Sequence, residues 1–365
     1  MNDDRAMKKL EGLGVNMVKE IDNGDGPSFE TVLRTRSNTF YDESVGCLRT
    51  GDKKETRKFL SVAQARTFMQ TVAVAAKTRQ FLKEKLHTSI RGLFYQLKFS
   101  LGENLDEELF SEQSESNALL EDLEVALRLK REDLHLTTDR KGFVAGPMKI
   151  RDKFGGDETV IDATKLGRSG WSIPSDVDND MEIEEVKADY VLVCEKDALW
   201  QRLNEDKFWK KENCILITPK GQSSRGCRRI IRKLADEKLP VYVFTDCDAW
   251  GWYIYWAIKT GSMNLAYLGQ DFSVPEAKFL GVTMQDIRDY EFLDKLTIKA
   301  KEVDIKRAAE MLEYPWINRH KEWVKELKEV LKTKKKIEQD ALQGQKLTFV
   351  GEYVKSKIED EAWLP

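Results

Sequence analysis

The sequence predicts an α/β chain in the sense of a multi-domain α+β protein, with a helical N-terminal part and a C-terminal part built on a parallel sheet. Three observations carry this. The chain has 365 residues, two domains' worth at about 150 residues each. Apolar residues recur at helical spacing between residues 61 and 130. Continuous apolar runs, each closed by a polar residue, alternate with helical segments between residues 189 and 290.

Composition narrows the function classes. The chain is 41% hydrophobic and 34% charged, which suffices for true cores and excludes wholesale disorder. Its net charge of −3 gives no global pull towards nucleic acid, so any such binding must come from local clusters. No run approaches the ~20 apolar residues of a membrane span. The first dozen residues lack the apolar core of a secretory signal. Five scattered cysteines, without a C-x-x-C pair, and three distant histidines argue against a zinc site or a disulfide framework. A reducing, intracellular compartment is expected. Acid–base and metal chemistry then falls to carboxylates, Tyr, Lys and Arg.

Residues 1–62 read as an N-terminal extension. An amphipathic stretch from Met7 to Ile21 meets the breaker Asn23-Gly24-Asp25-Gly26-Pro27, and short strand-like pieces follow. Residues 63–154 read as a helical domain. Ala65, Phe68, Met69, Val72 and Ala76 form one helical face. A second helix starts near Thr88-Ser89, either of which can cap it, and turns Ile90, Leu93, Phe94 and Leu97 inwards. A third spans about Ser116 to Lys130. The runs Leu134–Thr137 and Phe143–Ala145, joined by Asp139–Gly142, are expected as a β-hairpin. This order fits a winged helix-turn-helix, or a small helical subdomain with a hairpin. Residues 155–188, rich in Gly, Ser and Asp, read as an irregular linker. Residues 189–365 form the α/β domain, with strands at Tyr190–Cys194, Cys214–Thr218 and Val241–Thr245 and a charged helical C-terminal elaboration. Within it, the run Lys332–Lys336 reads as a solvated face.

Sites in open parallel sheets lie beyond the carboxyl ends of strands. Glu195 and Asp246 stand at two such ends, and Asp248 follows at i+2, on the same side if the chain stays extended. Three converging carboxylates repel one another unless a cation lies between them, and oxygen-only donors favour Mg²⁺, then Mn²⁺. Carboxylates capping a helix would give the same pattern. Lys220, Arg225, Arg228, Arg229, Arg232 and Lys233 put six cations into fourteen residues, opening on Gly221. They read as a loop entering a helix N-terminus, suited to phosphate, or as an amphipathic surface helix. Tyr95 lies roughly 150° from the apolar centre of its helix, and Arg91 shares its face. A free phenol, with a pKa of ~10, is a weak nucleophile at neutral pH, and a nearby cation favours the phenolate. An ordinary surface tyrosine would look the same.

At these residues the sequence resembles the A subunit of the type IIB DNA topoisomerase, topoisomerase VI, a family that also includes the meiotic double-strand-break transesterase. Thr88-Ser-Ile-Arg-Gly-Leu-Phe-Tyr95 is similar to the family's nucleophile motif, Val193-Cys-Glu195-Lys196 and Phe244-Thr-Asp246-Cys-Asp248 to the acidic motifs of a Toprim domain, and Pro219–Arg229 to its glycine- and arginine-rich segment. Ala249 stands where the family usually has proline, and Gly92 where an acidic residue is common. The resemblance implies a winged-helix (CAP-like) DNA-binding domain followed by a Toprim domain. It implies Tyr95 as nucleophile with Arg91 assisting, Mg²⁺ on Glu195, Asp246 and Asp248, and DNA contacts by Lys220, Arg225, Arg228 and Arg229. It further implies double-stranded DNA as substrate, a homodimer, an ATPase B subunit in an A2B2 assembly, and a cytoplasmic or nucleoid-associated location. No G-x-x-x-x-G-K-[ST] motif occurs, so ATP is expected on the partner and not on this chain. A break-forming transesterase that does not reseal, a Toprim nuclease or primase, and a DNA-binding protein with inert acids are the competing readings.

Overall fold

The computed structural model describes residues 2–102, 107–154 and 157–365. The chain forms two compact units, one of Met1–Phe40 and Thr50–Asp139, the other of Tyr41–Arg49 and Arg140–Pro365. Among the described residues, no helix is long and apolar enough to cross a membrane.

The first unit opens on helix α1 (Asn2–Asp22). Strands β1 (Ser28–Val32), β2 (Thr39–Asp42), β3 (Cys47–Thr50) and β4 (Lys54–Lys58) follow, with β1 and β4 paired antiparallel. Helices α2 (Ala65–Glu84), α3 (Ile90–Leu97) and α4 (Gln113–Leu127) complete it, with the two-residue strand β5 (Thr88–Ser89) leading into α3. The α3 spacing is borne out, with Ile90, Leu93, Phe94 and Leu97 buried in one core beside Leu119 and Leu123 of α4, whereas α2 is turned from its expected face: Phe68, Thr71, Val74, Ala75 and Thr78 are buried, Met69 and Val72 are partly buried, and Ala76 is exposed. That core also takes Ala6 and Leu10 of α1 and Phe29 of β1. Residues 1–62 are therefore not an appended extension, apart from the Tyr41–Arg49 tip that joins the second unit. Asp122 of α4 supplies the reason. Its carboxylate is 2.9 Å from Arg34 and 2.5 Å from Arg57, while Thr31 Oγ1 donates to its carbonyl at 3.1 Å. These bonds tie the N-terminal strands to the helices.

The expected hairpin does not form. Strand β6 (Leu136–Thr137) pairs in parallel with β5. Strand β7 (Phe143–Ala145) enters the sheet of the second unit, between Cys214–Thr218 and Trp171–Ser172. The turn at Asp139–Gly142 is where one unit ends and the other begins. Apolar alternation identifies a strand but not its partner.

The expected linker is also structured. Strands β8 (Met148–Phe154), β9 (Asp157–Asp162) and β11 (Met181–Val186) form an antiparallel sheet in the order β11-β8-β9, and β10 (Trp171–Ser172) lies between β9 and β11 in sequence. Gly155 and Gly156, the first two residues of the expected linker, lie outside the described residues. β9 pairs along its length with β8, although most of its side chains are exposed. Backbone pairing, not burial, defines this strand, so no apolar pattern marks it.

The main sheet has the order β10-β7-β13-β12-β14-β15, with β12 (Tyr190–Cys194), β13 (Cys214–Thr218), β14 (Val241–Phe244) and β15 (Lys278–Phe279) parallel. All three expected strands are present. Helices α5 (Asp197–Glu205), α6 (Phe208–Lys211), α7 (Arg225–Asp236) and α8 (Ala249–Lys259) alternate with them. The C-terminal helical part adds a short antiparallel pair, β16 (Ile298–Lys299) with β17 (Lys335–Lys336). Trp323 from this part stacks on Tyr255 of α8 at 5.3 Å and sits fully buried in the core.

Candidate functional site: an exposed tyrosine and a half-buried acid cluster

In the first unit, α3 presents the tyrosine. Ser89 is extended and caps the helix, its Oγ accepting from Gly92 N at 2.9 Å. A Cβ at Gly92 would meet the Thr88 Oγ1 side-chain atom at 2.2 Å, so the threonine hydroxyl would have to turn away to admit one. Ile90, Leu93, Phe94 and Leu97 are buried, and Tyr95 is 60% exposed. The Arg91 guanidinium lies 5.9 Å from the centre of the Tyr95 ring, within cation–π range. The helix thus holds a phenol out towards solvent with one cation beside it.

In the second unit, Glu195 follows β12 and Asp246 follows β14. Because β12 and β14 are neighbours, their ends place the two residues side by side. Glu195 N donates to Phe244 O at 3.0 Å, and Asp246 N donates to Glu195 Oε2 at 3.4 Å. Burial, and then the charge of Asp246, push the Glu195 carboxyl up to about 8. Burial is also the main cause raising Asp246, to about 6, against the opposing bond from Gln339 N at 2.8 Å. A buried Asp246 and a partly buried Glu195 whose charges burial disfavours match the electrostatic demand of a hard cation with oxygen donors.

Asp248 is placed differently. It is extended at the N-cap of α8, where Oδ1 accepts from Trp250 N at 3.0 Å and Gly251 N at 2.8 Å. Its Oδ2 is 3.1 Å from Lys336 Nζ. The capping role left open by the sequence is therefore present. Among the described residues, no three His, Cys, Asp or Glu side chains are arranged to hold a metal ion as they stand. The fit to a cation thus rests on the carboxyl chemistry of Glu195 and Asp246, although Asp246, like Asp248, also has an ammonium partner.

Two lysines and a glutamine complete this region, and sequence reasoning assigned none of them a role. Lys196 Nζ lies 3.2 Å from Asp246, 2.8 Å from Glu338 and 2.6 Å from Asp340. Burial opposes its charge, but these three acids outweigh burial and raise its pKa. Lys336, read as part of a solvated run, is instead largely buried between Asp248 and Asp304. Gln339 lies near the acids because Cys247 and Ile337 exchange backbone hydrogen bonds across the chain, at 3.0 and 3.2 Å.

The basic cluster forms the expected loop and helix start, with Ser224 Oγ accepting from Cys227 N at 3.2 Å. Its cations do not share one surface. Arg228 is 4% exposed, and burial lowers its pKa to about 10. It donates to Phe272 O at 3.4 Å and cannot face DNA as expected. Arg229 is paired with Asp178 at 2.8 Å, in a loop to which the sequence reading gave no role. Arg225 donates to the Tyr267 hydroxyl at 3.1 Å. Lys220 remains exposed, 4.3 Å above the Phe143 ring. The α7 amphipathicity that pattern alone attributes to a surface helix is thus used largely for internal bonding.

Three family models match successive parts of the chain. Residues 66–136 match "Type IIB DNA topoisomerase". Residues 141–187 match "All-beta domain in DNA topoisomerase VI alpha subunit", and residues 190–358 match the Toprim domain of the topoisomerase 6 A subunit and Spo11. A Pyrococcus abyssi protein, named as the A subunit of type 2 DNA topoisomerase 6, is 42% identical over 99% of this chain and 96% of its own length. The similarly named Methanocaldococcus jannaschii protein is 36% identical over 99% and 96%. An Arabidopsis thaliana protein, named as the A subunit of DNA topoisomerase 6, is 33% identical over 98% and 81%.

Proposed function

The chain belongs to the family of type 2 DNA topoisomerase 6 A subunits, and we propose that its DNA-cleaving chemistry runs through Tyr95. It is the DNA-cleaving A subunit of a type IIB topoisomerase, with DNA as substrate and a B subunit as partner.

The Tyr95 phenolic oxygen attacks a backbone phosphorus. The bond from phosphorus to the 3′ oxygen breaks, and the departing oxygen takes a proton to become a 3′-hydroxyl. The 5′ end stays on Tyr95 as a phosphodiester. Religation is the reverse attack and conserves the bond energy. Arg91 favours the phenolate and the charge building on phosphate oxygens. Glu195 and Asp246, with Asp248, are the residues that would hold Mg²⁺, or Mn²⁺ second, which when bound supplies charge stabilisation on phosphate oxygens. Lys220 and Arg225 are the members of the basic cluster suited to backbone contact; Arg228 and Arg229 serve the unit's own packing. The first unit docks DNA with α3 on the duplex, without the hairpin wing expected from Leu134–Ala145.

Cutting both strands takes two tyrosines, hence two copies of this chain, each Tyr95 working with the partner copy's acids. ATP binds the B subunits of an A2B2 assembly that passes one duplex through another in the cytoplasm or nucleoid. A single observation carries the reading: Tyr95 is 60% exposed on a helix whose opposite face is buried, with Arg91 beside it.

The test is cleavage by the chain with its B subunit, ATP and Mg²⁺, followed by proteolysis and gel analysis, with Tyr95→Phe alongside. Protein attached to 5′ ends in the wild type only is the expected result. Free 5′ phosphates, or cleavage surviving in the variant, overturn it in favour of a Toprim nuclease. Attached ends that form without any relaxation of supercoiled DNA point to the break-forming branch.

A further inference from the structure

The acid cluster contains a cation of its own. Lys336 Nζ stands 3.1 Å from Asp248 Oδ2 and 3.1 Å from Asp304 Oδ2. Its side chain is 15% exposed, and those of Asp248 and Asp304 are 10% and 3% exposed. The backbone fixes this placement on both sides. Lys336 pairs with Ile298 across β16 and β17, Ala300 N donates to Lys334 O at 2.8 Å, and the next residue, Ile337, is bonded to Cys247. Asp304 is held independently, accepting from Lys301 N at 2.8 Å at the start of the helix Glu302–Leu312. One ammonium is therefore shared by two fixed carboxylates, only one of which, Asp248, belongs to the acid cluster.

We propose that Lys336 is a resident counter-cation that competes with a divalent metal for Asp248, and that Asp304 is the carboxylate that receives it when the metal binds. The inference rests on the metal reading of Glu195, Asp246 and Asp248. Asp248 Oδ1 is engaged by two amides and Oδ2 by the ammonium, so both oxygens are occupied. A divalent ion at Asp248 Oδ2 meets the like charge of Lys336 and drives it off, and Lys336 then stays paired with Asp304 instead of being stranded in a buried site. Affinity for the ion is thereby set by an exchange of charges. Asp304 favours the metal-bound arrangement although it ligates nothing.

The consequences for two variants are opposite in sign. Lys336→Met removes the competitor and tightens binding, by about tenfold from the attraction of unit charges a few Å apart. Asp304→Asn keeps the oxygen that caps the helix and accepts from Lys336 but removes its charge, leaving Asp248 as the charged partner of Lys336, and it weakens binding by a similar factor. A lysine with a purely structural role would lower both melting temperatures without moving the affinities in opposite directions.

The experiment titrates the full chain with Mn²⁺ alone, counting free ion by electron paramagnetic resonance, with Mg²⁺ as competitor. Wild type, Lys336→Met, Asp304→Asn and Glu195→Ala are compared, and thermal melting reports folding. Tighter binding in Lys336→Met and weaker binding in Asp304→Asn is the expected pair. If Lys336→Met fails to fold, Lys336→Gln and Asp304→Asn carry the same two signs. Wild-type binding that Glu195→Ala abolishes, but that the lysine variants leave unchanged or weaken, overturns the counter-cation while the metal site stands. Absence of Mn²⁺ binding in wild type and Lys336→Met alike overturns both.

Discussion

Gly251→Ala sets two physical effects against each other at the acid cluster. Gly251 lies in the first turn of α8, where alanine is the better helix former by about 1 kcal/mol. Propensity alone therefore makes the variant more stable. The structure says otherwise. A Cβ at residue 251 would lie 2.6 Å from Asp246 O and 3.0 Å from Asp246 N, both backbone atoms, and 3.1 Å from Thr245 Oγ1. None of these is the loose end of a flexible chain, so α8 and the Asp246 segment must separate by several tenths of an ångström. Overpacking of this kind costs about 1–3 kcal/mol, which exceeds the propensity gain. The net expectation is a loss of up to about 2 kcal/mol. The strain falls on the residue proposed to hold the metal, and a displacement approaching 1 Å costs about 10²-fold in rate. Gly14→Ala is the control, because Gly14 lies within α1 with nothing within 4 Å of its added Cβ. It is expected to gain up to about 1 kcal/mol. Urea unfolding of both variants measures the stabilities, and DNA cleavage with the B subunit measures the rate. A Gly251→Ala protein as stable as wild type, cleaving at the wild-type rate, refutes the steric reasoning.

Two further predictions concern the supports of the site. Ser89→Ala removes the cap on α3 and should cost about 1 kcal/mol, lowering cleavage by fraying the turn that carries Arg91; an unchanged unfolding midpoint and rate would show that the cap does not hold the tyrosine. Glu326 is 4% exposed and accepts from Met284 N at 2.6 Å, and burial raises its carboxyl from 4.5 to about 7. The folded protein retains a proton that the unfolded chain releases, so this group's contribution is full below pH 4.5 and is lost as pH rises through about 7. The difference is worth roughly 3 kcal/mol at most. Glu326→Gln keeps the acceptor without the charge, so its stability relative to wild type should be greater at pH 8 than at pH 5. Urea midpoints that fall equally with pH in both proteins would remove Glu326 as the cause.

The sequence was most legible where one pattern had one physical meaning. Ile90, Leu93, Phe94 and Leu97 face the core because four apolar residues at that spacing cannot all be exposed, and Tyr95 is outward by the same geometry. The strands at Tyr190, Cys214 and Val241 follow from apolar runs too short for buried helices, and Glu195 and Asp246 from the polar residues that close them. Legibility failed where a pattern left the partner unspecified. Phe143–Ala145 reads as a strand from its own residues, but its pairing with β13 depends on chain seventy residues away. The β9 segment has no apolar face to reveal it. The cluster from Arg225 to Arg229 reads as surface charge, yet Arg228 is covered by Phe272 and Ser262, which follow it by more than thirty residues.

Lys336 fails for a more instructive reason. Converging carboxylates need positive charge between them, and that need predicted a metal. It names a demand and is silent about the supplier. Lys196, next to Glu195 in sequence, meets Asp246, but the lysine that meets Asp248 is 88 residues away, inside a run whose other members are typical of a solvated surface. Register alone separates it from its neighbours. β17 sets Lys335 beside the exposed Asp294 and Lys336 beside the buried Asp304. A one-residue slip would exchange them, since adjacent strand residues point to opposite faces. On the counter-cation proposal, the acid motifs of this sheet are a place where a mobile and a tethered cation compete, and the outcome is set by whether the tethered one has a second acid to retreat to. Here Asp304 provides it.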